Sequence, residues 1–405
     1  IKVILKPTDY KNDQIVLSGF RSGGHFNYEN KDRYTAENAA TLVSQMGVGK
    51  FSPNDLRKTL AGKTVNASPR ISSTSEGISG SSSATDLETM FQLVHLYFTQ
   101  PRKDDELYKS FVSKQQAMVQ NMLSDPQMVF QDSLLRTVYQ NHPRAPKVPR
   151  AEDYNQVNLD RAIEIYQDRF SNANGFTFVI VGSFAMDKIK PLIATYLASL
   201  PSDKTKNSTF KDIGLRPVKG VVKKEVKKGT EPKSFIAMQF TGEAPYSAAE
   251  DLKLKALIEV INIKLMETLR EKMSGTYTGG MSGSLSKYPY EGYTVNGFIP
   301  CGPENVDKLV AATLEELEKI RKNGPVATDL AKVKENWKKQ YQENLKDNNY
   351  WLRQLQSSQE NLINPSDILT YESRVDALTV ADLKTAASNY LNMKNYVQVI
   401  LNPEK

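Results

Sequence analysis

The chain has 405 residues, a net charge of +7, three histidines and one cysteine. That length is too great for one hydrophobic core and predicts two or three domains. No apolar run approaches the roughly 20 residues of a membrane helix, and Cys301 alone excludes an intrachain disulfide and a thiolate zinc site.

Ile1 to Leu5 reads as strand from the outset, with no initiator Met or basic n-region, so a fragment of a longer polypeptide is expected. Strands are predicted at Lys2 to Lys6 and Gln14 to Arg21, the second followed by Ser22-Gly23-Gly24. A helix follows from Thr35 to Met46, then a shorter one from Ser52 to Leu60 with Ser52 as N-cap. Two strands lie between Lys63 and Ser83. The composition of Ser72 to Ser83 also suits a flexible linker, but Ile71, Ile78 and the Thr and Ser between them favour strand.

Leu87, Met90, Val94 and Phe98 form one face of a helix from Asp86 to Thr99, closed by Pro101. Helical patterns return at Asp104 to Met122 and Pro126 to Tyr139. Pro143, Pro146 and Pro149 make Asn141 to Asp153 a loop. A helix from Leu159 to Phe170, an apolar strand from Phe176 to Val181 and a helix from Met186 to Leu200 complete this part. Pro201 to Lys211 is polar and aperiodic, as a linker is.

The order of elements then repeats, at an offset of 220. Ile15, Val16 and Phe20 fall on Phe235, Ile236 and Phe240; Phe176, Val179 and Ile180 fall on Tyr396, Val399 and Ile400. The helix Asp86 to Thr99 has its counterpart in Glu304 to Arg321, closed by Asn323-Gly324-Pro325. Two tandem α+β domains are expected, at 1–200 and 212–405, with 201–211 between them. Strands at the start, middle and end of each copy favour a mixed, mainly antiparallel sheet covered by helices. Lys223, Lys224, Lys227 and Lys228 alternate with other residues in the manner of an exposed strand whose lysines discourage edge pairing, not of a basic stripe for nucleic acid.

Leu254, Ile258, Ile261, Leu265 and Leu269 mark the buried stripe of a helix in the second copy, with Gly275 as its stop. Tyr293, Val295 and Gly297 alternate in a strand beyond it. Arg270 and Tyr277 therefore flank a helix-to-strand corner. By pattern alone, Arg270 is an ordinary last-turn cation and Tyr277 a sheet residue.

Ile4 to Gly24, Ser72 to Thr99, Leu159 to Ser199 and, above all, Leu269 to Tyr277 carry a resemblance to the insulinase and pitrilysin family of zinc peptidases. The resemblance implies a LuxS/mitochondrial-processing-peptidase-like metallohydrolase fold. It further implies an enzyme of two halves closing around a peptide. The first half of such enzymes holds zinc through HxxEH, with Glu as general base. The second supplies an Arg and a Tyr seven positions apart, the spacing of Arg270 and Tyr277. The pair would serve as substrate- and transition-state-binding residues, Arg through its charged fork and Tyr as donor to an oxyanion.

The first helix of the first copy has Thr41, Ser44 and Gln45 where that motif needs His, Glu and His, and His25, His95 and His142 share no helical turn. No metal ligand is expected in this chain, with zinc supplied by a partner. Gly279-Gly280 and Gly283 form no phosphate loop but suit close approach of a backbone, either the chain's own or that of an added peptide strand. Ser81 to Ser83 and Cys301 lack the context of a covalent nucleophile.

The expectation is the non-metal C-terminal half of a zinc endopeptidase, inactive alone. Its partners would be a zinc-bearing N-terminal half, fused or separate, and an unfolded peptide, with no nucleic acid and no membrane span. A structural or peptide-binding protein that has lost catalysis is the alternative. The bacterial relatives implied by the resemblance point to the periplasm or cell surface.

Overall fold

A computed structural model describes residues 1–273 and 279–404, and of residues 269–273 the backbone alone. The first repeat runs β1 (Lys2–Pro7), β2 (Ile15–Ser22), α1 (Arg33–Gln45), α2 (Pro53–Thr59), β3 (Val65–Ile71), β4 (Ser75–Ser82), α3 (Leu87–Thr99), α4 (Asp105–Val119), α5 (Pro126–Val138), α6 (Ala151–Tyr154), α7 (Leu159–Phe170), β5 (Thr177–Gly182) and α8 (Met186–Leu192). The second runs β6 (Val221–Lys227), β7 (Ser234–Glu243), α9 (Ala248–Met273), β8 (Gly280–Ser286), β9 (Gly292–Cys301), α10 (Val306–Asn323), α11 (Ala327–Asn344), α12 (Asn348–Asn361), α13 (Tyr371–Asp376), α14 (Val380–Tyr390) and β10 (Tyr396–Asn402).

Local chemistry sets several of these bounds. Ser52 accepts the Asp55 N–H at 3.2 Å and starts α2. Gly324, at φ +80°, ends α10. The helix predicted to reach Leu200 stays α-helical only to Leu192. Pro191 withholds one ladder hydrogen bond, and Ile193–Leu197 winds as a π-turn.

Two mixed, mainly antiparallel sheets result. Their strand orders are β1-β5-β2-β4-β3 and β6-β10-β7-β9-β8, the same topology under the repeat; among the described residues the β1·β5 and β6·β10 pairs are parallel and the others antiparallel. The Lys-rich strand β6 is indeed a sheet edge. One point of register needs correction. Ile15 and Leu17 enter the helix-covered core of their sheet, whereas in β7 it is Ile236, Met238 and Phe240 that do so. The offset between β2 and β7 is therefore odd, not 220, because a slip of one residue exchanges the faces of a strand. Between β5 and β10 the even offset holds, with Phe178 and Ile180 inward in one sheet and Tyr396 and Ile400 in the other.

Contacts divide the chain into two compact units: 1–120, 149–213 and 343–365 form one; 121–148, 214–342 and 366–405 form the other. The first packs Ile15, Leu17, Ile78, Phe178 and Ile180 against Val94 and Phe98 of α3 and Tyr166 and Phe170 of α7. On the opposite face of that sheet lies α12, where Ser18 Oγ donates to Gln356 Oε1 at 2.8 Å and Thr8 Oγ1 to Asn348 Oδ1 at 2.6 Å. In the second unit the corresponding face of Phe235, Ala237, Val397, Val399 and Leu401 is covered by Phe130 and Val138 of α5. Each unit thus takes one covering helix from the other repeat.

The polar stretch 201–211 has no helix or strand, yet it is tied to the first unit. Asn172 Nδ2 donates to Asp203 O at 3.2 Å, Asn27 Nδ2 to Thr209 O at 2.9 Å and Phe210 N to Ser22 Oγ at 3.2 Å. A fragment ending at Lys211 would keep these bonds but lose α12, uncovering the face that holds Val16, Ser18, Val179 and Val181. It is expected to be poorly soluble and to lose the cooperative urea transition of the full chain. An equally cooperative fragment would refute this.

Candidate functional site

The corner is built on α9, whose stripe of Leu254, Ile258, Ile261 and Leu265 is buried against β7, β8, β9 and α14 as its spacing predicts. Gly283 lets α9 close on the sheet, and Gly279 lets the chain entering β8 approach β9. A Cβ on Gly283 would stand 2.8 Å from Ile258 Cγ1, and one on Gly279 would stand 2.8 Å from Phe298 O. The close approach these glycines permit is to the chain's own elements. Asn262 then joins the helix to the start of β8, its Nδ2 donating to Met281 O at 2.9 Å and its Oδ1 accepting from Met281 N at 2.7 Å. That two-pronged amide contact fixes the strand end of the corner.

The helix end is held by charge. Lys264 lies 2.9 Å from Asp329 Oδ2 and 2.8 Å from Glu267 Oε2, and Asp329, almost fully buried, also meets Lys332 at 3.2 Å. Asp329 sits in the first turn of α11, where the helix dipole favours a carboxylate. Burial opposes its charge, but hydrogen bonds from Lys264 and Lys332 outweigh it and hold the carboxyl below its usual range. Hydrogen bonding to Glu267 and then to Asp329 pushes the Lys264 ammonium up.

The folded-state pKa of Asp329 is depressed, so its stabilisation is present above the unfolded value of about 4 and is lost as pH falls through the folded one. Asp329→Asn is expected to cost about 2 kcal/mol near neutrality and to flatten the loss of stability below pH ~4. Lys264→Met should cost more, because it leaves a buried carboxylate with one remaining lysine. Urea titrations at pH 7 and pH 3 decide this; parallel losses in wild type and Asp329→Asn on acidification would overturn the assignment.

Arg270 lies on α9, three residues before its end, and its side chain is outside the described residues. Tyr277 is outside them altogether. The described frame is the helix up to Thr268 and the sheet from Gly279.

The side chains present do not fit zinc. On α1, Thr41 and Gln45 are exposed, and Ser44 Oγ donates to Thr41 O at 2.8 Å. Hydroxyl and amide groups are poor substitutes for imidazole and carboxylate around that metal. His95 Nδ1 is 2.9 Å from Tyr196 O, and His142 Nδ1 accepts from Arg144 N at 3.1 Å. Among the described residues, no group of three or more His, Cys, Asp or Glu could hold a metal ion, and no helix is long and apolar enough to cross a membrane. Burial, with a smaller push from Glu304, raises the Cys301 thiol to about 11, so it is protonated at neutral pH and a poor nucleophile.

The chain is a doubled α+β unit, and comparison with known proteins finds the same arrangement. The family model described as the peptidase M16 inactive domain matches residues 156–336. Over those residues the chain is similar to the inactive-domain type of peptidase, and along its length it is similar to zinc proteases.

It is 23% identical to a zinc protease PQQL-like protein of Arabidopsis thaliana, over all of this chain and 42% of that one. The periplasmic protease PqqL of Escherichia coli superposes with a TM-score of 0.83 at 21% identity, covering 98% of this chain and 44% of that one. A peptidase M16 inactive domain from Pseudomonas fluorescens superposes at 0.79 and 15% identity, covering 100% and 95%. The chain therefore spans about two fifths of the Arabidopsis relative.

Proposed function

We propose that this chain is the non-metal C-terminal half of a zinc endopeptidase, which encloses an unfolded peptide and orients its scissile carbonyl for a zinc-bearing half. The observation that carries the reading is the pairing of Arg270 with Tyr277 seven residues on, at a helix-to-strand corner of the second repeat. The inactive-domain match and the hydroxyl and amide groups on α1 support it. Arg270 would hold the substrate backbone and Tyr277 would donate to the oxyanion as it forms. Zinc and the general base would come from the partner half, fused upstream or separate. The Escherichia coli relative is described as periplasmic, which supports the periplasm or cell surface as the compartment.

The purified 405-residue chain is expected to show no peptidase turnover with or without zinc, and to contribute to turnover once combined with the zinc-bearing half. Zinc-dependent, chelator-sensitive turnover by the chain alone would overturn the proposal.

A further inference from the structure

The covering helix α5 leaves part of the second sheet open. Beyond it, on the same face, β9 presents Thr294, Asn296 and Phe298, and β8 presents Ser282 and Ser284. This strip is polar with one exception. Phe298 is 45% exposed, although its ring stacks on Phe235 at 5.4 Å and 18° and meets Phe130 of α5 at 6.3 Å. Phe235 and Phe130 are buried, so Phe298 is the open end of an aromatic row held from beneath.

The other repeat provides an internal control. Phe298 pairs with Ala237 of β7, and the matching position on β4 is Ser79 or Ser81, paired with Ser18 or Val16 of β2. Either way the fold accepts a serine there. An exposed aromatic on the open strip of a sheet carries an aggregation risk. Phe298 also faces Gly280 across the β8·β9 ladder, three residues after Tyr277. Among the described residues β8 pairs only with β9 and forms the sheet edge.

We infer that Phe298 is a specificity-determining residue, which receives an aromatic or large aliphatic side chain of an extended peptide held at the β8 edge. The inference rests on the reading of the Arg270–Tyr277 corner as peptide-holding, and adds to it a side-chain class and a residue that selects it. The occupant is a peptide because the exposed end of the aromatic row is bordered on its open side by Thr294, Asn296, Ser282 and Ser284, which suits one apolar side chain flanked by polar backbone, and because the open strand edge beside it offers backbone hydrogen bonds.

The test uses two fluorescent unfolded peptides that differ only by Phe or Ser at one central position, with binding to the 405-residue chain followed by anisotropy. Phe298→Ser is expected to weaken the Phe peptide roughly tenfold, the scale of an aromatic contact in a recognition site, and to leave the Ser peptide unchanged. Arg270→Ala should weaken both peptides equally. Equal effects of Phe298→Ser on the two peptides, or none, overturn the inference. Selective loss in Phe298→Ser with no effect of Arg270→Ala overturns the corner reading instead, and a wild-type chain that binds neither peptide overturns both. Sedimentation at the same concentrations separates a rival occupant: a dimer abolished by Phe298→Ser assigns the ring to a second copy and refutes the peptide. Thermal unfolding of Phe298→Ser close to wild type is expected, as the serine of the first repeat implies.

Discussion

Arg270→Ala is expected to lower turnover of the reconstituted enzyme about 100- to 1,000-fold, the range seen when a transition-state donor is removed. The kinetic form of the loss distinguishes the two residues. A guanidinium that grips the substrate backbone in the ground state and tightens on it in the transition state contributes to both, so Arg270→Ala should raise KM as well as lower kcat. A phenol that donates only to the forming oxyanion acts on the transition state, so Tyr277→Phe should lower kcat with KM nearly kept. Arg270→Lys keeps the charge but loses the planar fork, and should recover only part of the activity. Within the described frame, Asn262 clamps β8 and the Lys264–Asp329 pair holds the helix. A change in kcat/KM with urea unfolding within about 0.5 kcal/mol of wild type would assign the loss to the site and not to folding. Unchanged kcat/KM in both Arg270→Ala and Tyr277→Phe would remove the pair from the mechanism.

The sequence reading succeeded where local chemistry and one buried face agreed. Helix α7 is bounded as predicted because Asn158 Oδ1 accepts the Arg161 N–H at 2.8 Å and Leu159, Ala162, Ile165, Tyr166 and Phe170 face the core together. Strand β4 could be separated from a Ser/Gly linker only through Ile71 and Ile78, and Ile78 is fully buried. What stayed hidden was long-range. The patterns of α5 and α12 are amphipathic but do not say which sheet they cover, and each covers the sheet of the other repeat. The odd offset between β2 and β7 was equally out of reach, since both strands are buried on both faces and tolerate either parity by composition. Of the candidate site, spacing and resemblance supplied Arg270 and Tyr277. Asn262, Lys264, Asp329 and Phe298 emerged only from the fold, because none belongs to a motif. An Asn and a Lys within an apolar helical stripe were the available signals.

Arg21→Ala is expected to destabilise the chain by about 3–5 kcal/mol, as breaking a buried ion pair does. Arg21 and Glu76 are buried on adjacent strands, Nε to Oε1 at 2.8 Å. Burial pushes the Glu76 carboxyl above its usual range, and the charges of Arg21 and Arg169 and the Gly24 N–H act against that. The guanidinium does more than neutralise Glu76. Its remaining nitrogens donate to Asn172 O at 2.8 Å, Asn174 O at 2.9 Å and Arg169 O at 2.5 Å, carbonyls at and beyond the end of α7. Glu76 Oε2 accepts from Gly24 N at 2.7 Å, and its Oε1 accepts from Ser208 Oγ at 3.1 Å. Glu76→Gln keeps the shape and some of the acceptors, so a loss of about 1–3 kcal/mol is expected.

The decisive variant is the double replacement Arg21→Met with Glu76→Leu. Where a buried pair satisfies only itself, exchange for apolar residues is commonly neutral or stabilising. Here the exchange would strand three carbonyls, one N–H and one hydroxyl, each costing on the order of 1–3 kcal/mol when left unsatisfied. The double variant should therefore be at least as unstable as Arg21→Ala in urea titrations. Recovery to wild-type stability would show that the two charges serve each other alone and that α7 ends without help from Arg21.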